Sequence, residues 1–468
     1  MKRIPLLIAM SLSFAMVGAM SASAAPTRNI LLVWAAPDQT YEQDGTPINS
    51  PDMWHGKVAA TSLTTHVTSN WFDYNHYNAD INTNPTTATV NSVIDTLPVP
   101  SQGKIYWVAS EGVMVGSMGG CKQAAQCASI LYSSADLGTS VGYEYQTGIA
   151  EDKTHTWLYV GVFNTTSHTY SIKKMKRVRD VASISEIPST VGIPNGSGIG
   201  GIVAYNNRLY WTSAASGDNP SSVMWGDLTG TNHGYIAVGS TDGVHQPWGL
   251  AIDSKAKKIY WANWTSITAA PNGSVGSANL SAPYNAHETI TVDTCNQNDE
   301  SLSGPSSIAF NVLSGAILWG NWNYSPSGDP GMATAGANGT FNCSNIVTHQ
   351  TPYTVGGVTK LPGQEASLAL IAAPSFAKAP ATKMTKSKHA VLRCSFTLSS
   401  DRLEARFFQE AKAVKISWKR NGKKIAGTSS SLRAKAAGKY TCTVAASNIA
   451  GAISATSKQI KVTSKQAK

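Results

Sequence analysis

Apolar positions recur along the first three quarters of the chain as short runs: Lys104-Ile105-Tyr106-Trp107, Trp157-Leu158-Tyr159-Val160, Arg208-Leu209-Tyr210-Trp211, Lys258-Ile259-Tyr260-Trp261 and Ala316-Ile317-Leu318-Trp319. Their last residues lie 53, 51, 50 and 58 positions apart, and Ile30-Leu31-Leu32-Val33-Trp34 is a sixth related run. Short runs rich in aromatic and branched residues, bounded by Gly, Asn, Ser and Pro, read as strands. Several are preceded at a similar offset by a second apolar element, as in Gly201-Ile202-Val203-Ala204, Gly249-Leu250-Ala251-Ile252-Asp253 and Ser307-Ile308-Ala309-Phe310. Turn residues such as Asn206-Asn207 or Ser254-Lys255-Ala256-Lys257 join the two, and a Gly/Ser/Asn/Pro-rich stretch leaves room for two more strands. Four short strands in a ~50-residue unit make a β-propeller blade. The spacing predicts six blades, or seven if Ala366-Ser367-Leu368-Ala369-Leu370-Ile371 forms its own. Pairing of that late strand with the N-terminal run is the preferred reading, because it closes the ring and removes two exposed edges.

The repeated residues resemble the YWTD-type β-propellers of low-density-lipoprotein-receptor-like proteins. The closest copy runs from Gly249-Leu250-Ala251-Ile252-Asp253 through Ile259-Tyr260-Trp261-Ala262-Asn263, and the resemblance covers roughly residues 100–330. The Asp that ends the family motif is replaced by Ser213, Asn263 or Asn321. The resemblance implies a propeller over residues 26–373.

The last part of the chain has another pattern. Residues 374–389 have the small, Pro- and Lys-containing composition of a linker. Beyond them come Cys394 on an alternating strand with Leu392 and Phe396, then Ile416-Ser417-Trp418, an Asn421-Gly422 turn, and Tyr440-Thr441-Cys442. Cys, then Trp, then Tyr-x-Cys resembles the core of immunoglobulin-like domains. The resemblance implies a β-sandwich over residues 390–468, with Trp418 packed on a Cys394–Cys442 bridge and Tyr440 as a tyrosine corner. The fold class expected for the whole chain is therefore all-β.

Lys2-Arg3, the apolar stretch Ile4 to Met20 and the small residues Ser21-Ala22-Ser23-Ala24-Ala25 have the order of a signal peptide, expected over residues 1–25. Export to the extracellular side, in association with a cell envelope, follows as an expectation, and it permits disulfides. Proximity and domain boundaries favour Cys121–Cys127, Cys295–Cys343 and Cys394–Cys442 among the fifteen possible connectivities. No Cys/His spacing suits a metal.

Charge sharpens the division into modules. The net charge of +10 hides residues 376–468 with 20 Lys and Arg against three Asp and Glu, a net of +17, and residues 26–375 with 15 against 24, a net of −9. A small domain so basic attracts polyanions such as an envelope polymer or acidic glycan. Lys415, Lys419, Arg420, Lys423 and Lys424 are the candidate polyanion-binding residues. Nothing resembles a motif for sequence-specific nucleic-acid recognition.

The chain contains no HExxH, G-x-S-x-G, P-loop, EF-hand loop or GxGxxG signature. No cofactor is expected; Asp299-Glu300 and the group Asp38, Glu42 and Asp44 lack the loop spacing of a Ca²⁺ site. Propeller sites assemble from single residues of different blades, so the residues preceding inner strands are the candidates: His245 with Trp248, and Gln146, Asn195 and Ser303 in comparable places. His245 is also the one candidate general base. Trp264 and Trp322 follow the repeated strand and suit stacking on sugar rings, whereas Trp261 and Trp319 occupy its core position. The reading is a binding or adhesion protein whose propeller takes a carbohydrate or protein ligand. The alternative is a carbohydrate-active or lyase-type enzyme with its active site in the propeller channel.

Overall fold

A computed structural model describes residues 29–36, 57–73, 93–109, 112–120, 128–138, 148–164, 169–187, 198–214, 220–264, 273–291, 304–321, 331–335, 341–346, 353–355, 358–360, 367–384, 390–399 and 406–467. The structure is nearly all β, and the described residues up to Ala372 form a β-propeller. Five of the repeated runs become the second strand of a four-stranded antiparallel sheet: Lys104–Ala109, Trp157–Asn164, Arg208–Ser213, Lys258–Asn263 and Ala316–Asn321. Their inner partners are Asp95–Val99, Ile149–Glu151, Ile199–Tyr205, Pro247–Asp253 and Pro305–Asn311.

The sixth run, Ile30–Ala36, takes its inner partner from the far end of the propeller. Ser367–Ala372 pairs antiparallel with it in the register Leu32↔Leu370 and Trp34↔Leu368. The late strand therefore belongs to the sheet of the N-terminal run and forms no seventh sheet of its own. Each inner strand packs on the next, and Pro305–Asn311 packs on Ser367–Ala372, which packs on Asp95–Val99. Six sheets among the described residues thus close a ring around a channel.

The uninterrupted apolar runs follow from this arrangement, because a sheet between two neighbours is covered on both faces. Trp34, Trp107, Trp211, Trp261 and Trp319 are all fully buried. The expectation that Trp261 and Trp319 are core residues is met. Trp261 Nε1 donates to Gly243 O at 2.9 Å, and the indole lies over its cross-strand partner Gly276. A Cβ at Gly276 would stand 2.1 Å from Trp261 Cε2. Gly276→Ala should therefore cost about 1–3 kcal/mol through overpacking. A denaturant midpoint equal to that of the parent chain would show that the indole has room to shift.

The C-terminal module has a three-stranded sheet, Phe376–Met384, Val391–Leu398 and Ser431–Arg433. A second sheet contains Lys423–Ile425, Ala413–Arg420, Gly438–Asn448, Gly451–Thr456 and Ile460–Val462. The Cys394–Cys442 disulfide joins the two sheets, with Cα atoms 6.0 Å apart. Trp418 is fully buried in the same cluster as both cysteines, and its Nε1 donates to Ser429 O at 2.9 Å. Tyr440 donates its hydroxyl to Ala436 O at 2.6 Å.

One expectation needs correction. The stretch 374–389 is not simply a linker: Phe376–Met384 is the first strand of this module, paired with Val391–Leu398. Its linker-like composition is that of a strand at a sheet edge, where Lys378 and Lys383 remain exposed to water. Pro380 falls where the register shifts between Lys378 and Ala381, a place where a proline's missing N–H is tolerated.

The two modules are joined by more than their covalent connection. Phe407–Phe408 adds in parallel to the inner strand Ser367–Ala372, with Leu370 N donating to Arg406 O at 2.7 Å. Both phenylalanines are buried in the propeller's apolar clusters. Asn448 Nδ2 donates to Ala372 O at 2.8 Å, and Gln409 Nε2 to Ala373 O at 3.3 Å. The C-terminal module therefore sits on the side of the ring where the inner strands end. No helix among the described residues is long and apolar enough to cross a membrane.

Candidate functional site

Among the described residues, Arg406 of the C-terminal module enters the channel beside the inner strands of three sheets. Arg406 reaches Asp95 through both guanidinium nitrogens at 2.5 Å, and also donates to Thr96 O at 3.2 Å and to Ile202 O at 3.5 Å. Asp95 further accepts from Thr96 N at 2.9 Å, Ile149 N at 2.9 Å and Ser367 Oγ at 2.8 Å. Both charged groups are buried. The cavity left between Arg406, Phe408 and the inner strands of three sheets is about 10 Å³, room for no more than a water molecule.

Glu151, a buried carboxylate that lines this cavity, is also engaged. Arg177 Nη1 lies 3.1 Å from it and His155 Nδ1 2.9 Å, and His155 Nε2 is 3.5 Å from Glu410 of the C-terminal module. Asp95, Glu151 and Arg406 are absent from the candidates that the sequence offers. Arg406 precedes a Phe-Phe pair, but nothing local shows that this segment enters another module.

On the opposite side of the ring, His245, Trp248 and Trp264 come together. Trp248 and Trp264 have ring centroids 5.4 Å apart. His245, Gln246 and Trp264 help line an open depression of about 490 Å³. His245 Nε2 lies 3.4 Å from Glu288 Oε1, and both side chains are partly exposed. Glu288 stands on an outer strand, so this pair faces a surface depression rather than the channel. Asn263, where the resembled motif carries Asp, is fully buried: it accepts from His245 N at 3.0 Å and donates to Gly243 O at 2.9 Å and to Ser274 Oγ at 2.8 Å. An amide can serve both sides of this junction, whereas a carboxylate has no donor for Gly243 O.

Gln146, Asn195, Ser303 and Trp322 lie outside the described residues, as do Asp38, Glu42, Asp44, Asp299, Glu300, Cys121, Cys127 and Cys295. Cys343 is disulfide-bonded. Among the described residues no group of three or more His, Cys, Asp and Glu could hold a metal ion.

The basic candidates separate into two groups. Lys419 stands opposite Lys424 and Thr441, and Lys439 opposite Lys461. Residues two apart share a face, so Lys415, Lys419, Lys424, Lys439 and Lys461 lie on one exposed sheet face, with Trp418 pointing to the core. Arg420 and Lys423 oppose each other at the hairpin end and belong by register to the other face. Lys439 and Lys461 escape a reading of the sequence because the strand register, not local sequence, brings them in. None of the five lysines forms an ion pair with a carboxylate among the described residues. Like charges placed directly across a ladder are unfavourable, and this face carries two such pairs.

No family model matches the chain, and no curated protein does. Among solved structures, TolB from Acinetobacter baumannii is similar over 72% of this chain and 66% of its own, just under two thirds, with 8% identity and a TM-score of 0.44. Oligogalacturonate lyase from Vibrio parahaemolyticus is similar over 71% and 83%, with 11% identity and a TM-score of 0.38. The GH43 protein BlXynB from Bacillus licheniformis, a mutant, is similar over 81% and 90%, with 11% identity and a TM-score of 0.32.

Proposed function

We propose that the protein is an exported binding protein of six propeller blades and an immunoglobulin-like domain, which docks to an anionic envelope polymer through the face formed by Lys415, Lys419, Lys424, Lys439 and Lys461. The observation that carries this reading is the five-lysine face without carboxylate partners among the described residues. Asp95 and Glu151, buried carboxylates of the inner strands, are both held by guanidinium groups, which supports binding over the alternative of a channel enzyme.

Point variants test this better than truncation, because removing the module also takes Arg406 away from buried Asp95. Each lysine near an anionic surface contributes ~1 kcal/mol, so Lys415→Gln, Lys419→Gln and Lys424→Gln together should weaken binding to immobilised poly(glycerol phosphate) by about 100-fold. Replacing Lys255 and Lys258 of the propeller should change little. Equal binding by the triple variant and the parent chain would rule the docking face out.

A further inference from the structure

We propose that the groove between the sheets of Trp157–Asn164 and Arg208–Ser213 binds an acidic oligosaccharide. The inference goes beyond the docking face and gives the propeller a site and a ligand class of its own. The groove has a volume of about 660 Å³ and is lined by Trp157, Lys174, Tyr205, Asn206, Asn207 and Arg208, among others. That size suits a short saccharide.

Two cations of its lining, Lys174 and Arg208, are held by aromatic rings. Lys174 Nζ lies 4.4 Å from the centre of the Trp157 ring, and Arg208 Cζ lies 4.1 Å from the centre of the Trp225 ring. Stacking on an aromatic face positions a cation without consuming its charge through a carboxylate. Asp152, which also lines the groove, and Asp227, opposite Arg208 in the strand register, are hydrogen-bonded within their own turns. Asp152 accepts from the Thr154 hydroxyl and from the N–H groups of Thr156 and Trp157, the latter two at 3.0 Å. Asp227 accepts from Thr229 N and Oγ1, Thr231 N, and Asn232 N and Nδ2. Neither forms an ion pair with Lys174 or Arg208 among the described residues.

The rim supplies hydroxyl recognition. Asn206 and Asn207 both have left-handed backbone, with φ of 49° and 62°, as a two-residue hairpin turn of this twist requires. Both are exposed, so their amides are available to donate to and accept from sugar hydroxyls. Trp157 and Tyr205 are partly exposed, with Lys174 4.4 Å and Lys257 5.6 Å from their ring centres, so apolar contact with a sugar falls to the ring surface these lysines do not cover, and Lys174 and Arg208 offer charge for its carboxylate.

The test uses a chain already carrying Lys415→Gln, Lys419→Gln and Lys424→Gln, so that failure of the docking face and failure of the groove are separate results. A mannuronate trisaccharide and neutral mannotriose are titrated calorimetrically. The trisaccharide acid should bind at least about tenfold more tightly than mannotriose. Adding Lys174→Gln and Arg208→Gln should remove that preference. Asn206→Gly with Asn207→Gly keeps the turn and should weaken both sugars. Equal affinity for the two sugars, no binding of either, or a preference that survives loss of both cations would overturn the proposal.

Discussion

Arg406→Met is expected to destabilise the chain by about 3–5 kcal/mol, because it leaves Asp95 buried without its counter-ion. The three remaining donors to Asp95, from Thr96, Ile149 and Ser367, do not replace a positive charge. Adding Asp95→Asn should recover part of the loss, since the buried charge is then gone. Denaturant unfolding of the three chains measures both effects. The same variant should loosen the C-terminal module, seen in small-angle scattering as a larger radius of gyration. A single variant as stable and as compact as the parent chain would mean that the two modules are held by the apolar contacts of Phe407 and Phe408 alone.

The second large effect is alkaline unfolding. The tyrosines of the repeated runs are buried, and burial pushes Tyr106 up to about 12, with the Arg177 charge pulling the other way and Glu151 adding to the rise. Burial also pushes Tyr260 up to about 12, with the Asp253 charge adding to it. Tyr159 and Tyr210 are raised as well, again chiefly by burial. In the unfolded chain these phenols ionise near ~10. The native state thus keeps protons that the unfolded state releases, so stability is fully present below about pH 10 and declines as pH rises towards 12. Four phenols act in the same window, and the fall should be several times steeper than for one. Guanidinium midpoints across this range measure it, and Tyr106→Phe with Tyr260→Phe should flatten the curve. A midpoint unchanged between about pH 9 and 11.5 would contradict the burial of the repeat tyrosines.

Much of the fold was legible because it is local and periodic. The six runs became second strands, and the late strand found the N-terminal run, because apolar residues spaced by ~50 positions can all be buried only by a ring of equivalent sheets. Cys394, Trp418 and Tyr440 likewise mark one core through fixed spacing. Other features depended on contacts that no period announces. Arg406 and Asp95 are separated by 311 positions. Phe376–Met384 looks like a linker until its partner strand is known, and Lys439 and Lys461 join the basic face only through register. Asn263 reads as a lost family residue, yet its amide ties His245 to Gly243 and Ser274.

The docking face is tested most directly by the salt dependence of binding to poly(glycerol phosphate). Neutralised charges release counter-ions, so the slope of log affinity against log salt counts the lysines in contact. The slope for the Lys415→Gln, Lys419→Gln, Lys424→Gln chain should be shallower than that of the parent chain by roughly two to three. Identical slopes would contradict docking through this face.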